Sequence, residues 1–388
     1  MARPDTLQPI LAGCVMACVG FASSFAVVIQ GLTAAGASQA QAASGLMAAA
    51  VAMGLASVVL SFALRQPVSA AWSTPGAALL ATTGAVEGGW PAAVGAFLIA
   101  NGLLVAAGMI KPLGRAVAAI PGSLANAMLA GVLFGLCLAP IKAFVAAPGA
   151  AAIVIGVWLV VLRYRRVYAT PAAALAAALV IAHQAPNLAL SAVDVAPTPL
   201  WVWPRFTLEG LASISLPLFI VTMASQNLPG IAVLKAYGYR PPPSLLIGVT
   251  GLFGILAAPF GGHAVNLSAI TAAMCASPDA APDPARRWIA SATAGVVLIL
   301  LGVSAGAVMQ LASGAPVLVE AVAGLALLGA LGSALHNALI EQAEREAALA
   351  TFLVAASGVA FYGIGGAFWG LIAGAVVLAV TRAGVLKS

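Results

Sequence analysis

The chain has 388 residues, of which 63% are hydrophobic and only 7% charged, with a mean hydropathy of +1.09. A soluble domain carries about 25% charged residues to cover its surface, so this composition excludes a water-soluble globular protein and makes lipid the solvent. The net charge of +6 comes from short basic clusters between apolar runs, which is topological information and not a nucleic-acid signal.

The first apolar run, from near Leu7, lacks the basic start and small-residue cleavage site of a signal peptide and reads as the first span. A crossing helix needs about 20 apolar residues. Runs broken by charge, Pro and Gly predict about fourteen segments. Seven lie near 7–30, 38–63, 68–86, 91–110, 118–141, 149–163 and 169–185. Seven more lie near 209–234, 243–259, 261–276, 285–309, 315–336, 345–360 and 363–383. With the N-terminus in the cytoplasm, only Lys142 and Arg205 of the 16 Lys and Arg fall outside. That asymmetry predicts an even number of spans with both termini cytoplasmic.

Between the seventh and eighth segments, Pro186, Pro197, Pro199 and Pro204 surround Trp201 and Trp203. This stretch predicts a linker between two halves, with its Trp residues at the membrane interface. Displacing the chain by 202 positions (225 − 23) sets Val19 on Val221, Ser23 on Ser225 and Gly36 on Gly238. Two related halves of seven spans each must enter the membrane from opposite sides. That is an inverted repeat, an architecture common among secondary transporters.

The third and tenth segments are poor membrane helices. One reads QPVSAAWSTPGAALLATTGAV from Gln66, the other APFGGHAVNLSAITAAM from Ala258. Each opens on Pro, Gly or polar residues and turns regular later. Pro75 suits a first helical turn behind a Ser73 or Thr74 cap, and Asn266 or Ser268 could cap the second after Gly261-Gly262. Extended backbone is therefore expected near Ala71–Thr74 and Gly262–Asn266, the two stretches meeting at mid-membrane. Non-helical backbone at that depth requires protein or a water-filled cavity around it. Two helix N-termini meeting there make an anion site without a fixed charge; the alternative is a pair of kinked helices with no ligand.

The candidate substrate-binding residues are Ser73, Thr74 and Gly76 in the third segment and Phe260, Gly262, His263 and Asn266 in the tenth. Ser23 in the first span and Gln226 and Asn227 in the eighth complete the set. Gln226 and Asn227 precede Pro229-Gly230, which would loosen their helix, and either residue could instead be helix–helix glue. His263 can titrate near neutral pH, and either it or Glu320 in the twelfth segment is the candidate for carrying a proton. A neutral, backbone-bonded His263 and a Glu320 at the outer interface are the structural alternatives. Phe21, Phe25, Trp72 and Phe260 could supply an apolar slot, or simply pack. The four cysteines form no Cys-x-x-Cys pair and read as packing residues. No metal and no cofactor are expected.

The stretches SQNLPG from Ser225, STPGAAL from Ser73 and PFGGHAVNLSAITAA from Pro259 resemble the benzoate transporter (BenE) family, over nearly the whole chain. The resemblance implies import of benzoate with a proton across a bacterial inner membrane. It also implies the fold of nucleobase/ascorbate and sulfate-permease-type transporters, an all-α polytopic protein of fourteen spans in two inverted repeats of seven. A core domain would take residues 1–110 and 207–310, and a gate domain 111–206 and 311–388, with short strands in spans three and ten. Nucleobase members of that fold use buried carboxylates on spans eight and ten. Here span eight has only Glu209, near its outer end, and span ten has none, which suits a substrate that is itself an anion. Expected partners are a small organic anion, protons and the bilayer, and the architecture allows a homodimer. A channel or exchanger for anions, and a nucleobase symporter, are the competing readings. An enzyme is disfavoured because no His-Glu-x-x-His occurs and the carboxylates do not cluster.

Overall fold

The computed structural model describes residues 7–110, 121–184, 196–362 and 364–385. Arg3, Lys111, Arg115 and Lys387 of the orientation argument, and Pro186 with the first half of the linker, lie outside the described residues. So does the expected start of the fifth segment.

In chain order the helices begin with α1 (Leu7–Ala22), α2 (Phe25–Ala34) and α3 (Gln39–Leu64). Strand β1 (Ala70–Trp72) leads into α4 (Thr74–Thr83), and α5 (Gly89–Met109) follows. Then come α6 (Gly122–Cys137), α7 (Ala139–Ala146), α8 (Pro148–Tyr164) and α9 (Arg166–Gln184). One long helical run, α10 (Leu208–Ala236), precedes α11 (Pro243–Ala257), strand β2 (Val265–Leu267) and α12 (Ile270–Ala276). The chain ends with α13 (Trp288–Val303), α14 (Ala305–Gly314), α15 (Pro316–Leu339), α16 (Arg345–Ala356) and α17 (Gly366–Val385). Among the described residues, 9 helical stretches are long and apolar enough to cross a membrane. The protein is a helical, multi-pass membrane protein, and its one named sheet among the described residues is the β1–β2 pair.

Local sequence explains the interruptions. α3 starts cleanly because Ser38 and Gln41 form a reciprocal capping box, and it stops where Arg65 turns left-handed at φ 52°. The first span, read as one run, is broken at Ser23-Ser24 into α1 and α2. The fifth bends at Leu138, just ahead of Pro140, and runs on to Ala146. In α10 two wide turns replace ordinary ones: Leu216 N–H bonds to Leu211 O and Leu228 N–H to Met223 O, five residues back. Pro217 and Pro229 follow these turns directly. A helical proline lacks the N–H for the carbonyl four residues before it and its ring crowds that carbonyl; a π-type turn relieves both and is frequent at functional sites. The loosening expected at Pro229-Gly230 therefore falls one turn earlier, on Met223–Asn227.

α13 lies against α1 and α3, and α11 against α5 and α3. α15 and α16 both pack on α6, and α16 on α17. The α3–α13 crossing is close because it is built on glycine: a Cβ on Gly54 would run into Gly295 O, and one on Gly295 into Gly54 O. The visible end of the linker is strapped to the same group of helices. Leu200 N–H donates to Ser44 Oγ (2.9 Å), Val202 N–H to Pro259 O (2.8 Å) and Arg205 N–H to Pro91 O (2.9 Å). Gly54→Val should overpack the α3–α13 crossing and destabilise the fold by about 1–3 kcal/mol. A lowered melting temperature in detergent, with Gly102→Val as the control where a Cβ meets nothing within 4 Å, is the measurement.

Candidate functional site

β1 and β2 pair antiparallel, with Ala70 opposite Leu267, Ala71 opposite Asn266 and Trp72 opposite Val265. Two flanking bonds lengthen the ladder: Ser73 N–H to Ala264 O (3.0 Å) and Ser268 N–H to Ser69 O (2.9 Å). A two-stranded ribbon has two bare edges, and in an apolar interior each unpaired backbone group costs several kcal/mol. Side chains from neighbouring helices cover them. From α3, Ser57 Oγ accepts from Ala70 N–H (2.8 Å) and Ser61 Oγ donates to Val68 O (2.9 Å). From α10, Asn227 Oδ1 accepts from Leu267 N–H (2.9 Å). From α5, Asn101 Nδ2 donates to His263 O (2.8 Å).

Each strand turns into a helix through a serine. Ser73 Oγ accepts from Gly76 N–H (3.1 Å) and shares a hydrogen bond with Thr222 Oγ1 (2.8 Å). Ser268 Oγ accepts from Thr271 N–H (3.1 Å). Of the two caps considered for the tenth segment, Ser268 serves. Asn266 instead donates from Nδ2 to Leu267 O (2.8 Å), and its Oδ1 has no partner among the described residues.

The break in the first span comes to the same place. Trp72 Nε1 donates to Ser24 Oγ (2.9 Å), and Ser24 Oγ donates to Gly20 O (3.1 Å). Phe21 sits 5.2 Å from the Trp72 ring and 6.1 Å from Phe25. Ser23 donates to Val19 O and Ser225 to Val221 O, four residues back in each case. The residues that match under the 202-residue displacement thus repeat the same side-chain bond.

The candidates divide by what they touch. Thr74 and Gln226 are half-buried, with no side-chain hydrogen bond among the described residues. Asn227 is fully buried and spent on the β2 edge. Gly76 and Gly262 are packing glycines: a Cβ would strike Leu218 at the first and Ala257 at the second. Phe260 stands apart from the other aromatic candidates, its ring 5.3 Å from Trp201 of the linker. Glu320 is exposed in the early turns of α15. His263 is fully buried, edge-on to Phe97, and reaches Ser73 O from Nε2 (3.0 Å). A carbonyl only accepts, so Nε2 carries the hydrogen; Nδ1 has no partner among the described residues. Sequence reasoning missed Asn101, Thr222 and Ser57. Asn101 had a legible signal, an Asn alone in the apolar run of α5.

A cavity of about 810 Å³ opens beside this constellation, lined by Leu7 to Met16 on α1, Ala273 and Met274 on α12, Tyr237, Asp279 and Tyr168 of α9. It ends one turn short of Gly20 and Thr271, which touch where the first span breaks.

A family profile described as benzoate membrane transport protein matches residues 4–380. The chain belongs to the benzoate membrane transport protein family. Among relatives of this benzoate transporter family member, the inner membrane protein YdcO of Escherichia coli (strain K12) is 42% identical over 383 residues, covering 97% of this chain and 96% of the relative. The benzoate membrane transport protein of Acinetobacter baylyi is 32% identical over 383 residues, covering 95% and 94%. In fold, the benzoate family chain is similar to the transmembrane domain of a cyanobacterium bicarbonate transporter, BicA. The TM-score is 0.61 at 16% identity, over 96% of this chain and 98% of that one. The chain is a membrane transport protein, as its resemblance at residues 73–79, 225–230 and 259–273 implied.

Asn227→Ala strands the Leu267 N–H in an apolar interior and should destabilise the protein by about 1–3 kcal/mol. Gln226→Ala, next along the helix, removes no hydrogen bond and should leave the melting temperature within a degree or so. Equal losses in both variants would show that the edge bond does not hold β2.

Proposed function

We propose that this protein imports benzoate or a related aromatic carboxylate together with a proton across the inner membrane, by alternating access. The observation that carries this reading is the paired strand–helix units at the break of the first span, with no carboxylate beside them among the described residues. The described Asp and Glu side chains lie elsewhere: Glu87, Asp279, Asp283 and Glu320 are exposed, and Glu209 accepts from Glu87 N–H (2.9 Å) at the start of α10. The ten-residue helix α4 offers its positive end there, and Thr74 and Gln226 are the uncommitted polar groups. Phe21, Phe25 and Trp72 supply an apolar wall for a ring.

In this reading the chain forms fourteen spans in two inverted repeats, with both termini in the cytoplasm. Residues 1–110 and 207–310 make a core, and 111–206 and 311–388 a gate. Substrate contacts fall to Ser23, Thr74 and Gln226. Ser73, Gly76, Asn227, Gly262 and Asn266 shape the backbone that those contacts stand on. His263 is the titratable side chain buried at the strand pair among the described residues, and it is the first candidate for the coupled proton, ahead of Glu320. Its charged form would sit behind the strand pair and favour an anion in front of it, so proton and substrate load together. A nearly neutral load crosses a low-dielectric interior more readily than a bare charge. A nucleobase substrate is disfavoured by the missing carboxylates.

The test is uptake and binding by purified protein. Benzoate should raise the melting temperature, because a ligand that binds only the folded state stabilises it, and an inward proton gradient should drive benzoate uptake into liposomes. Uptake indifferent to the gradient would favour an anion channel or exchanger. Gln226→Ala should weaken benzoate affinity roughly tenfold, as expected for a lost hydrogen bond to a charged group, whereas Glu320→Gln should leave affinity unchanged.

His263→Gln keeps a donor and an acceptor but cannot titrate. It should still bind benzoate and support counterflow, while losing uptake against a concentration gradient. Normal concentrative uptake by this variant would remove His263 from the coupling.

A further inference from the structure

The core and the gate meet differently at the two ends of α10. At its C-terminal end, where Tyr237 lies, the cavity of about 810 Å³ parts α1, α12 and α9. At its N-terminal end, roughly 35 Å away along a helix rising 1.5 Å per residue, the two sides are in contact. A second meeting of the two sides lies by the break of the first span, where Phe25 and Ala26 of α2 face Ile181 of α9, Val308 of α14, and Val319 and Val322 of α15 around a void of only about 20 Å³. That void holds about one water.

A hydrogen bond closes the N-terminal end of α10. Gly365 N–H, in the loop between α16 and α17, donates to Ser213 Oγ (3.2 Å). Ser213 stands in the first wide turn of α10, ahead of Pro217. The loop is shaped for the contact: Phe361 and Ile364 exchange two backbone bonds of 3.0 Å each, and the Phe361 ring packs on Trp369 at 5.6 Å. A Cβ on Gly365 would come within 3.6 Å of Thr83, the last residue of α4. One gate loop thus holds the far ends of two core elements, α4 and α10, whose other turns carry the proposed substrate contacts.

We propose that Ser213 with Phe361, Ile364 and Gly365 of the facing loop, together with the apolar seam around Phe25, are the outer latch of this transporter, closed in this structure, and that transport requires the latch to part. The inference rests on the core-and-gate reading above. It adds which residues hold the outer side shut and where a lock would act. Ser213 is a positioning residue, since it touches gate backbone and not substrate. The apolar seam excludes water from the outer side, and the Gly365–Ser213 hydrogen bond fixes its register without the strength of an ion pair, so the closed state stays reversible.

The test is a reversible lock. Ser213→Cys with Gly365→Cys is introduced into a background in which Cys14, Cys18, Cys137 and Cys275 are replaced by alanine. Gly365 has an ordinary negative-φ backbone, and a Cβ there meets only Thr83, at 3.6 Å or more, so the substitution fits. A 3.2 Å separation between Gly365 N and Ser213 Oγ puts the two Cα atoms near the 4.4–6.8 Å range of disulfides, by rough addition of bond lengths. Oxidation should abolish benzoate uptake, and reduction should restore it to at least half the level of the background protein. Benzoate should still shift the melting temperature of the oxidised form, entering from the open cavity. Full uptake by the quantitatively cross-linked protein overturns the latch.

A second readout does not depend on the substrate. Ala26→Cys in the same background should react slowly with a membrane-impermeant maleimide added on the side of the linker. Adding Ser213→Ala should speed that reaction severalfold, and the Ser213–Gly365 cross-link should stop it. Labelling unaffected by either change overturns the latch. If benzoate neither binds nor moves in the background protein, the substrate assignment fails, and the labelling rates alone decide the latch.

Discussion

Two three-residue strands, paired in the middle of an otherwise helical membrane protein, are the constraint around which the rest of the structure is arranged. A strand pair at that depth leaves two edges of polar backbone with no water to turn to. Ser57 and Ser61 from α3, Asn227 from α10 and Asn101 from α5 meet that demand. This explains why polar side chains sit in spans that are otherwise Ala, Leu, Val and Gly. It also explains the glycine-rich crossing of α3 on α13, since α3 must lie close to β1 while packed on its other side.

The same arrangement sorts polar residues by task. Those whose hydrogen bonds are consumed by the strands, such as Asn227 and Ser73, build the platform. Thr74 and Gln226 have no side-chain hydrogen bond among the described residues, and the proposed function gives them to the substrate. Adjacent residues in one wide turn of α10 fall on opposite sides of this division: Asn227 is fully buried behind β2, while Gln226 is half-exposed. An ordinary helical turn separates neighbours by about 100°. The π-type turn forced by Pro229 widens the helix where both are needed.

Much of this was legible in the sequence, for local reasons. Pro75 behind Ser73, and Gly261-Gly262 before Ser268, are start signals for helices that begin late, so the strand–helix units could be placed to within a few residues. The family resemblance rested on those stretches and on Ser225–Gly230. What could not be read was tertiary. An Asn in an apolar span serves a ligand, a neighbouring helix or a strand edge equally well, and nothing beside Asn227 or Asn101 in the chain distinguishes these. Phe260 was grouped with the site because it precedes His263 by three residues, but the turn between them sends its ring to the linker and Trp201. The wide turns of α10 were anticipated only as a loosening at Pro229-Gly230, because a proline marks a disturbance without saying how the chain relieves it.

The strand pair also sets a timing problem for synthesis. Ala71 and its partner Asn266 are 195 residues apart (266 − 71), and chains are made at about 5–20 residues per second, so β1 waits roughly 10–40 s for its partner. During that interval the groups that later bond to residues 264–268, Ser69 O and Ser73 N–H among them, are unsatisfied in or beside the bilayer, and α4 has only its own serine cap to hold its start. Insertion of the helices ahead of α10 therefore cannot be a finished event. The nascent chain must keep the third segment sheltered, within its own helices or at the insertion machinery, until residues 264–268 arrive. Residues 70–72 and 265–267 are thus joined by the chemistry of folding before transport can begin.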